Sequence, residues 1–482
     1  MLFRSYTKVK LELLTDIDKY LFFEQGVRGG ISVISHRHAI ANNPSVPNYD
    51  SSKENSYIAL WDYNALYSTA LTQPLPKGNF RWLEDEELYT FDLDQISEGS
   101  SEGYVLQVDL RYPPNLHDLH NLYPLAPEQM KITSKMHSPY LNSLLKKHGL
   151  NRMPSSSKLV TNLQDKKGYI VHYRTLQTYL KLGLEITAIH KILAFNEEPW
   201  ARPYVEFNTL KRKHAKTVFE QDMFKLMLNS FFGKCMENVR KRVNVNLVCT
   251  SQKFEKLLRK PTFKTFEIFN KHLVGVSMKK LKVLLNKPIY VGFSILDLSK
   301  KFMYEFHYLQ VLKRYGSSAR LLFTDTDSLC YHITTEDIYK DMYENLDWFD
   351  TSNFPESHYL HSNMRKKELG VFKDEMGGDI VCEFVGLRPK LYSILTVSKN
   401  KKTAKGINKA TINKHLRHEQ YLSSLFDGVK HSHSMSGIRS DKHKLFNYTC
   451  KKTSLCPLDD KRYILNDGIS SLAYGHYRIK PE

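Results

Sequence analysis

Two apolar runs flank a short acidic segment in the stretch Leu321-Leu322-Phe323-Thr324-Asp325-Thr326-Asp327-Ser328-Leu329-Cys330-Tyr331-His332. The runs consist largely of residues that favour β-strands, which predicts a hairpin with the acidic segment at its tip. Asp325 and Asp327 are two positions apart, so on an extended backbone their side chains point to the same face. A hairpin tip of this kind is, on its own, more often a solvated turn than a reactive site. Its meaning therefore depends on the rest of the chain.

A second acidic signature stands far upstream, where the apolar run Tyr57-Ile58-Ala59-Leu60-Trp61 ends in Asp62. The run predicts a short strand, and residues 65–71 after it predict a helix. A carboxylate between a strand end and a helix start is well placed to hold a cation beside a polyphosphate, because the first helical amides face the same site. Asp62 together with Asp325 and Asp327 would provide the carboxylates that hold two divalent ions for phosphoryl transfer.

The third motif lies between these two and has the sequence Lys225-Leu226-Met227-Leu228-Asn229-Ser230-Phe231-Phe232-Gly233. It belongs to a segment, 211–240, that has no proline and predicts a helix almost throughout. Lys225, Asn229 and Gly233 are four residues apart, which places them on one helix face. There Lys225 can bind the β- and γ-phosphates of a nucleotide, Asn229 can hydrogen-bond near its sugar or base, and Gly233 leaves room for a base pair. The alternative is a buried helix whose lysine extends to solvent.

The charge balance favours a polyanionic partner. The chain has 482 residues, with 70 Lys and Arg against 51 Asp and Glu, which gives a net charge of +19. Nucleic acid is favoured over a membrane as this partner, because no apolar stretch approaches the roughly 20 residues that a spanning helix needs. The length suggests about two to four subdomains of roughly 100–200 residues each.

The N-terminus and the cysteines indicate an intracellular protein. Charged residues interrupt the first ten positions before any apolar core of a secretory signal can form. The six cysteines include no CxxC pair and are expected to stay reduced. A zinc site built from Cys450, Cys456 and nearby histidines is the less favoured alternative, since the spacing matches no usual zinc finger. The basic cluster 211–213 makes the nucleus the expected location, although phosphate contacts or a solvated helix explain the cluster equally well.

The order and the residues of the three motifs resemble those of family B DNA polymerases. The resemblance extends from about residue 26 to residue 476 and is closest to protein-primed enzymes of the Maverick/Polinton-like viral and mobile-element type. It is carried by Lys-Leu-Met-Leu-Asn-Ser at 225–230, Phe-Thr-Asp-Thr-Asp-Ser-Leu at 323–329 and Asp-Lys-Arg-Tyr-Ile-Leu at 460–465. The usual Ser-Leu-Tyr-Pro-Ser of the first acidic motif is here Ala65-Leu66-Tyr67-Ser68-Thr69, which keeps the tyrosine.

The resemblance implies an α+β fold shaped as a right hand, with a palm of antiparallel sheet plus helices, helical fingers and a small thumb. The chain is expected to divide into an N-terminal segment with a template-contact loop (1–54), the first part of the palm (55–104), an insertion for a priming protein or the template (105–204), the fingers (205–245), a second insertion (246–285), the second part of the palm (286–400) and the thumb (401–482). After residue 403, helical stretches and loops are expected to alternate.

For the reaction, the resemblance implies template-directed DNA synthesis, in which deoxynucleotides are added to a primer 3′-hydroxyl with two Mg²⁺ ions as cofactors. Asp62 and Asp327 would bridge the ions, the backbone carbonyl of Tyr63 would add a ligand, and Asp325 would be a supporting acid. Tyr67 would lie under the sugar of the incoming nucleotide and exclude a 2′-hydroxyl. The alternative for Tyr67 is a core aromatic residue.

Contacts with DNA are implied at three further places. Lys390 and Tyr392 match the Lys-x-Tyr element that holds the primer strand. The loop at 26–30 is similar to the Tyr-x-Gly-Gly loop that contacts the template, although no tyrosine stands where that pattern expects one. In this loop the expected DNA contacts are Arg28, Gly29 and Gly30. The third place is the second acidic motif, where Thr326 and Ser328 are expected to contact DNA.

One departure affects the nucleotide site, because Glu220 stands where many relatives carry a basic residue. A second phosphate contact is therefore expected from Arg212, Lys213 or Lys216. The partners implied are primer-template DNA, deoxynucleoside triphosphates and a priming terminal protein, with no membrane and a monomeric chain. Only 61 residues precede Asp62, too few for an RNase H-like proofreading domain, so no exonuclease is expected.

Two alternatives to an active DNA polymerase stay open. One is a catalytically decayed, DNA-binding remnant of a mobile-element polymerase. The other is a reverse transcriptase or RNA polymerase with a similar palm, which the Asp-Thr-Asp-Ser and Lys-x3-Asn-Ser motifs fit poorly. The sequence decides neither whether priming uses a protein hydroxyl or a nucleic-acid end, nor whether the chain is part of a longer one.

Overall fold

The computed structural model of the chain describes residues 2–97 and 99–480, and in it helices pack around several antiparallel sheets. The predicted α+β class is confirmed. The first part of the chain forms α1 (Leu2–Thr7), α2 (Ile17–Gly26), β1 (Ser32–Ile34), β2 (His38–Ile40), β3 (Ser56–Tyr63), α3 (Leu66–Leu71), β4 (Leu75–Trp82), α4 (Asp85–Thr90), β5 (Glu102–Arg111), α5 (His117–His120), β6 (Glu128–Lys131), α6 (Pro139–Lys147), β7 (Ser157–Val160), β8 (Lys166–His172), α7 (Tyr173–Lys181) and β9 (Glu185–Glu198).

The middle and last parts of the chain continue this mixture of helices and strands. The middle part forms α8 (Arg202–His214), α9 (Val218–Cys235), β10 (Asn244–Val248), α10 (Ser251–Leu258), β11 (Phe263–Asn270), β12 (Leu273–Met278), α11 (Ile289–Glu305), α12 (Leu312–Tyr315), β13 (Ala319–Asp325), β14 (Ser328–Thr334) and α13 (Ile338–Glu344). The last part forms β15 (Phe349–Asp350), β16 (Phe372–Asp374), β17 (Val381–Arg388), β18 (Leu391–Thr396), β19 (Asn400–Ala404), α14 (Lys409–His415), α15 (His418–Phe426), β20 (His431–Asp441), β21 (Lys444–Leu455), β22 (Tyr463–Ile464) and β23 (Ser471–Leu472).

The acidic motifs lie on a six-stranded sheet with the strand order β1-β13-β14-β3-β16-β15. β14 pairs antiparallel with both β13 and β3, whereas the short strand β16 pairs antiparallel with β3 and parallel with the edge strand β15. β3 is buried along nearly its whole length, which explains why its sequence is a continuous apolar run rather than an alternating one. The strand predicted before Asp62 and the hairpin predicted around residues 325–327 are both confirmed.

The long helix α11 packs against the helices α2, α3, α7 and α9 and against the strands β4 and β8. Most of its residues are buried, so its apolar side chains cover nearly all faces. A π-helical turn follows at Phe306–Val311, where Phe306 stacks on Phe372 of β16 with ring centroids 3.6 Å apart. None of the helices in residues 2–97 and 99–480 is both long and apolar enough to cross a membrane.

A four-stranded sheet of order β4-β9-β5-β8 occupies much of the region between the first acidic motif and α8. β5 confirms the strand predicted at residues 103–110, and it pairs with β9 along a long antiparallel register. The expected boundary between residues 104 and 105 falls inside β5, so both sides of that boundary belong to one sheet. The division of the chain into functional segments stays a prediction.

Two helices, α8 and α9, occupy the segment in which the sequence predicted one nearly continuous helix. The correction has a local cause at Thr217, whose hydroxyl accepts a hydrogen bond from the N–H of Glu220. The Glu220 carboxylate in turn accepts one from the N–H of Thr217. This capping box starts a new helix. Glu220 therefore has a structural role at the position where the family resemblance implies a basic residue.

The C-terminal segment differs from the expected alternation of helices and loops. α14 and α15 are helical, but β20 and β21 then form a long antiparallel hairpin. Most of its side chains are exposed or half-buried, so its sequence lacks the apolar run that would predict a strand. Near the hairpin tip, Lys444 Nζ lies 2.9 Å from Glu267 Oε1 of the β10-β12-β11 sheet. The hairpin and this small sheet therefore touch.

Candidate active site

Strand pairing brings the two acidic motifs together. In the pairing of β14 with β3, Ser328 faces Asp62, and the N–H of Tyr63 donates to the carbonyl of Asp327 at 2.6 Å. Between the two hairpin strands Thr326 turns the chain with a φ of 71°. The register therefore brings Asp62 and Asp327 to the same end of the sheet, although they are far apart in sequence.

Asp62 and Asp327 share a half-buried and strongly anionic environment. Burial raises the pKa of Asp327 to about 6, and the charges of Asp62 and Asp325 add to this shift. Burial also raises the pKa of Asp62, although Lys373 opposes the shift with its Nζ 3.1 Å from Asp62 Oδ1. Acids that repel each other in a partly dry site are the kind of pair that a divalent cation with oxygen ligands stabilises.

Asp325 does not complete a triad of converging carboxylates. Its Oδ1 lies 2.7 Å from Nζ of Lys390 as an ion pair, outside the geometry of a hydrogen bond. Within the described part of the chain, no group of three or more His, Cys, Asp and Glu side chains is placed to hold a metal ion together. The candidate ligands are therefore the Asp62–Asp327 pair and nearby backbone carbonyls, with Asp325 beside them.

A cleft of about 550 Å³ lies next to this acidic pair. Asp62 and Asp327 line it, and so do Lys225 and Asn229 of α9 and Tyr67 of α3. All three sequence motifs thus contribute to one cavity. The cavity holds carboxylates and a lysine together, which is the charge arrangement expected for a nucleotide with its metal ions.

Tyr67 stands in the first turn of α3 and packs against Phe232 of α9, with ring centroids 4.6 Å apart. Burial raises the pKa of Tyr67, and the charge of Asp327 adds to the shift, which places the ring near the acidic pair. Ala65, just before α3, has a left-handed φ of 53°, so the chain turns sharply from β3 into the helix. Tyr67 therefore lies between the acids and α9.

The face of α9 that carries Lys225 reaches the cleft only in part. Lys225 and Asn229 are exposed residues that line it. Gly233 lies outside the lining, and a Cβ added there would meet no atom of the described residues within 4 Å. The predicted contact of Gly233 with a base pair stays a prediction.

Three further cations, Arg212, Lys367 and Lys373, line the cleft. Of the three candidates for a second phosphate contact, Arg212 of α8 lines it, whereas Lys213 and Lys216 are exposed and lie outside the lining. Lys367, in the segment between β15 and β16, also lines it, and sequence reasoning missed this residue. Lys373 was missed as well; it pairs with Asp62 because β16 pairs with β3. No local pattern around these lysines distinguishes them from solvated charges.

Arg28, one of the residues predicted to contact DNA, is buried in the structure. The residue is 9% exposed, and its Nη1 donates to the carbonyls of Gly26 at 3.0 Å and Ile170 at 2.7 Å. The guanidinium carbon lies 3.8 Å from the centre of the Tyr169 ring. A guanidinium held in this way stabilises the loop, and the predicted contact of Arg28 with DNA stays a prediction.

The glycines after Arg28 lie close to the acidic hairpin tip. A Cβ added to Gly30 would lie 2.5 Å from the Thr326 side chain, and the N–H of Thr326 donates to the carbonyl of Ile31 at 2.7 Å. Gly30 therefore permits the close approach of the loop and the tip. Gly29 is exposed and Thr326 and Ser328 are half-buried, and their contacts with DNA stay predictions.

Lys390 and Tyr392 lie on the β17–β18 hairpin beside the acidic motifs. Lys390 occupies the turn with a left-handed φ of 62°, and its side chain is 46% exposed, so its contact with primer phosphate stays a prediction. Tyr392 is only 7% exposed, and its ring stacks on Phe323 with centroids 4.4 Å apart. The ring therefore packs in the core, and the contact predicted between Tyr392 and a base or sugar stays a prediction.

Comparison with solved structures supports the fold. The chain is similar to Phi29 DNA polymerase complexed with primer-template DNA and incoming nucleotide substrates, with a TM-score of 0.53 and 14% identity. The match covers 94% of this chain and 66% of that polymerase. Phi29 DNA polymerase in an orthorhombic crystal form matches with the same TM-score, 13% identity and the same coverage. The predicted right-hand fold is confirmed, and the chain spans 66% of the length of the solved polymerase.

The sequence comparisons identify the family. No curated protein matches the chain. The sequence profile of the family described as DNA polymerase type B, organellar and viral, matches residues 46–307, which is more than half of the chain. The matched region includes the first acidic motif and the Lys225 motif, whereas the second acidic motif follows it. The chain therefore belongs to the type B DNA polymerases of the organellar and viral group.

Proposed function

We propose that the chain is a template-directed DNA polymerase that adds deoxynucleotides to a primer 3′-hydroxyl. The observation that carries the proposal is that Asp62, Asp327 and Lys225, from three distant motifs, line one cleft. Nucleotidyl transfer needs negative charge to hold metal ions at the reacting oxygens and positive charge to hold the polyphosphate. The acidic pair and Lys225 meet these two needs in one cavity.

We propose Mg²⁺ as the cofactor, with two ions bound. Asp62, Asp327 and the carbonyl oxygen of Tyr63 would hold them, since oxygen ligands suit this ion. The fit rests on the acidic pair, because burial raises the pKa of Asp327 and the charges of Asp62 and Asp325 raise it further, so a bound cation would offset both effects. When bound, the ions would supply a lowered pKa for the primer hydroxyl and charge stabilisation for the leaving pyrophosphate.

The side chains around the cleft would bind and orient the nucleotide. Lys225 and Arg212 would hold the phosphates, Lys225 as a compact charge and Arg212 through its planar fork of donors. Arg212 Nε is buried and donates to no acceptor among the described residues, so it has a donor to offer a ligand. Asn229 would hydrogen-bond near the sugar or base, and Tyr67 would exclude a 2′-hydroxyl by contact.

We propose primer-template DNA as the macromolecular partner and a priming terminal protein as a second one. The net charge of +19 and the half-exposed Lys390 beside the acids support the first. The family resemblance to protein-primed enzymes supports the second, and residues 105–204, which contain most of the β4-β9-β5-β8 sheet, would bind the priming protein. The β20–β21 hairpin and the insertion at 246–285 touch each other, and together they would enclose DNA.

One primer-extension experiment tests the function and separates the alternatives. Wild type is supplied with DNA or RNA templates and with deoxy- or ribonucleotides, and a control lacks Mg²⁺. We expect Mg²⁺-dependent extension on DNA with deoxynucleotides. Tight DNA binding without extension would instead identify a decayed remnant, and preference for RNA templates or ribonucleotides would identify another polymerase class.

A further inference from the structure

Lys367 is a palm-side cation that faces the fingers helix across the cleft. It lies in the segment between β15 and β16 and lines the same cavity as Asp327 and Lys225. Its backbone has a left-handed φ of 55°, a conformation that costs free energy for a residue with a side chain. The surrounding contacts must therefore hold this conformation.

A buried carboxylate holds Lys367 in place. Asp350 is 4% exposed, and its Oδ2 accepts hydrogen bonds from the N–H of Lys367 at 2.7 Å and from Nδ2 of Asn64 at 2.8 Å. Its Oδ1 accepts from the N–H of Ser352 at 3.0 Å. Asn64 follows Asp62 and Tyr63 directly, so Asp350 ties the backbone of Lys367 to the first acidic motif. The position of Lys367 is thus coupled to that of the proposed metal ligands.

The ammonium group of Lys367 has no carboxylate partner among the ion pairs of the described residues. Its Nζ donates to Oε1 of Gln221, one helical turn before Lys225 on α9, at 3.1 Å. Burial lowers the pKa of Lys367, and the charges of Arg212 and Lys366 lower it further. Lys367, Arg212 and Lys225 therefore form a group of cations around one cavity, and a polyanion would relieve their mutual repulsion.

We propose that Lys367 binds the terminal phosphates of the incoming nucleotide, and the leaving pyrophosphate, from the palm side while Lys225 binds them from α9. This inference rests on the proposed function and extends it, because it adds a phosphate-binding residue that lies outside the three sequence motifs. A bound polyphosphate would join the segment between β15 and β16 to α9 by contacts from both sides. Lys367 would exchange its hydrogen bond with the neutral amide of Gln221 for one with phosphate, which is stronger because donor and acceptor are then both charged.

Steady-state kinetics of Lys367→Ala with primer-template and Mg²⁺ test the proposal. We expect KM for the nucleotide to rise by about 10–100-fold, the loss typical of a hydrogen bond between charged groups, with a smaller change in kcat. Inorganic tripolyphosphate should inhibit this variant more weakly by a similar factor. Lys367→Arg, which keeps the cation, should recover most of the loss. The matched control is Lys366→Ala, which removes the neighbouring charge outside the lining of the cleft.

A purely structural role for Lys367 predicts a different pattern. Gln221→Ala removes the hydrogen bond to α9 but keeps the cation, so under the proposal KM stays near the wild-type value. If Gln221→Ala raises KM as much as Lys367→Ala does, or if tripolyphosphate inhibits Lys367→Ala and wild type equally, the proposal is overturned. Failure of wild type to extend a primer would contradict the proposed function instead. In that case calorimetric titration of tripolyphosphate into wild type and Lys367→Ala still decides the role of Lys367, and equal affinity refutes it.

Discussion

The acidic pair and the cationic helix face reach the same cleft by different physical means. Asp62 and Asp327 are placed by backbone pairing between β3 and β14, inside a sheet whose strands are largely buried. Lys225 and Asn229 are exposed on α9, whose buried residues are Leu228 and Cys235. The acids are therefore held by the core of the protein, whereas the cation depends on the position of one lightly anchored helix.

This difference in how the two regions are held indicates which kinetic constant each region should control. Groups fixed in a sheet can stabilise charge that develops in the transition state without reorganising, and their loss lowers kcat. Groups on an exposed helix contribute mainly to holding the nucleotide, and their loss raises KM. Substitutions in the two regions can therefore test this contrast.

The largest effect is expected from the acids. Asp62→Asn or Asp327→Asn should lower kcat by a factor on the order of 10³ or more, because losing a ligand forfeits several kcal/mol of transition-state stabilisation. Single-turnover primer extension measures this rate. Asp94→Asn, at an exposed residue outside the lining of the cleft, is the matched control and should extend normally. Near-normal turnover of either acid variant would remove the assignment of the site.

The next effect is expected at the helix. Lys225→Ala should raise KM for the nucleotide by about 10–100-fold, since it removes a charge-assisted contact with phosphate. kcat should change less than in the acid variants. Titration of the nucleotide in a steady-state extension assay separates the two constants. Lys234→Ala, on the same helix but outside the lining of the cleft, should behave as wild type; an equal loss there would point to helix stability as the cause.

Tyr67 joins the two regions, since it follows the acidic strand and packs on α9. Tyr67→Val should lower discrimination against ribonucleotides by roughly tenfold or more, because the ring no longer clashes with a 2′-hydroxyl. The ratio of kcat/KM for deoxy- and ribonucleotides measures it. Tyr89→Val, at a residue that is 91% exposed, serves as the control. An unchanged ratio in Tyr67→Val would favour the alternative of a core aromatic residue.

The smallest effect is expected at the start of α9. Thr217→Ala removes the hydroxyl of the capping box and should cost about 1 kcal/mol of helix stability. If α9 is as weakly anchored as its exposure indicates, local hydrogen exchange in α9 should speed up while exchange in β3 stays the same. Equal acceleration in both elements would mean that helix and sheet unfold as one unit.

The parts of the fold that could be predicted are those encoded by local patterns. The run that ends in Asp62 is a strand, and the segment around Asp327 is a hairpin, because apolar β-forming residues favour that conformation wherever it is buried. The division between α8 and α9 was recoverable from the Thr217-x-x-Glu220 signature, which is a local capping pattern. The β20–β21 hairpin was not, because its polar sequence offers neither an apolar run nor a tight-turn motif.

The site divides in the same way. The residue types and spacings identify Asp62, Asp327 and Lys225 as chemical groups, since two carboxylates and a lysine in these motifs indicate nucleotidyl transfer. Contacts between segments far apart in the chain bury Arg28 and Tyr392. Such contacts also place Lys367 in the lining of the cleft. These positions could not be inferred from neighbouring residues in the sequence.

The amino-acid order alone thus determined which reactive groups the protein carries and the backbone conformation on either side of them. Only the folded chain decided which of those groups meet, because the register of β14 against β3 brings Asp62 to Asp327 and the pairing of β16 with β3 adds Lys373. The physical reason is the distance along the chain over which each interaction acts. Backbone preference acts over a few residues, whereas strand register and burial are set by the packing of the whole core.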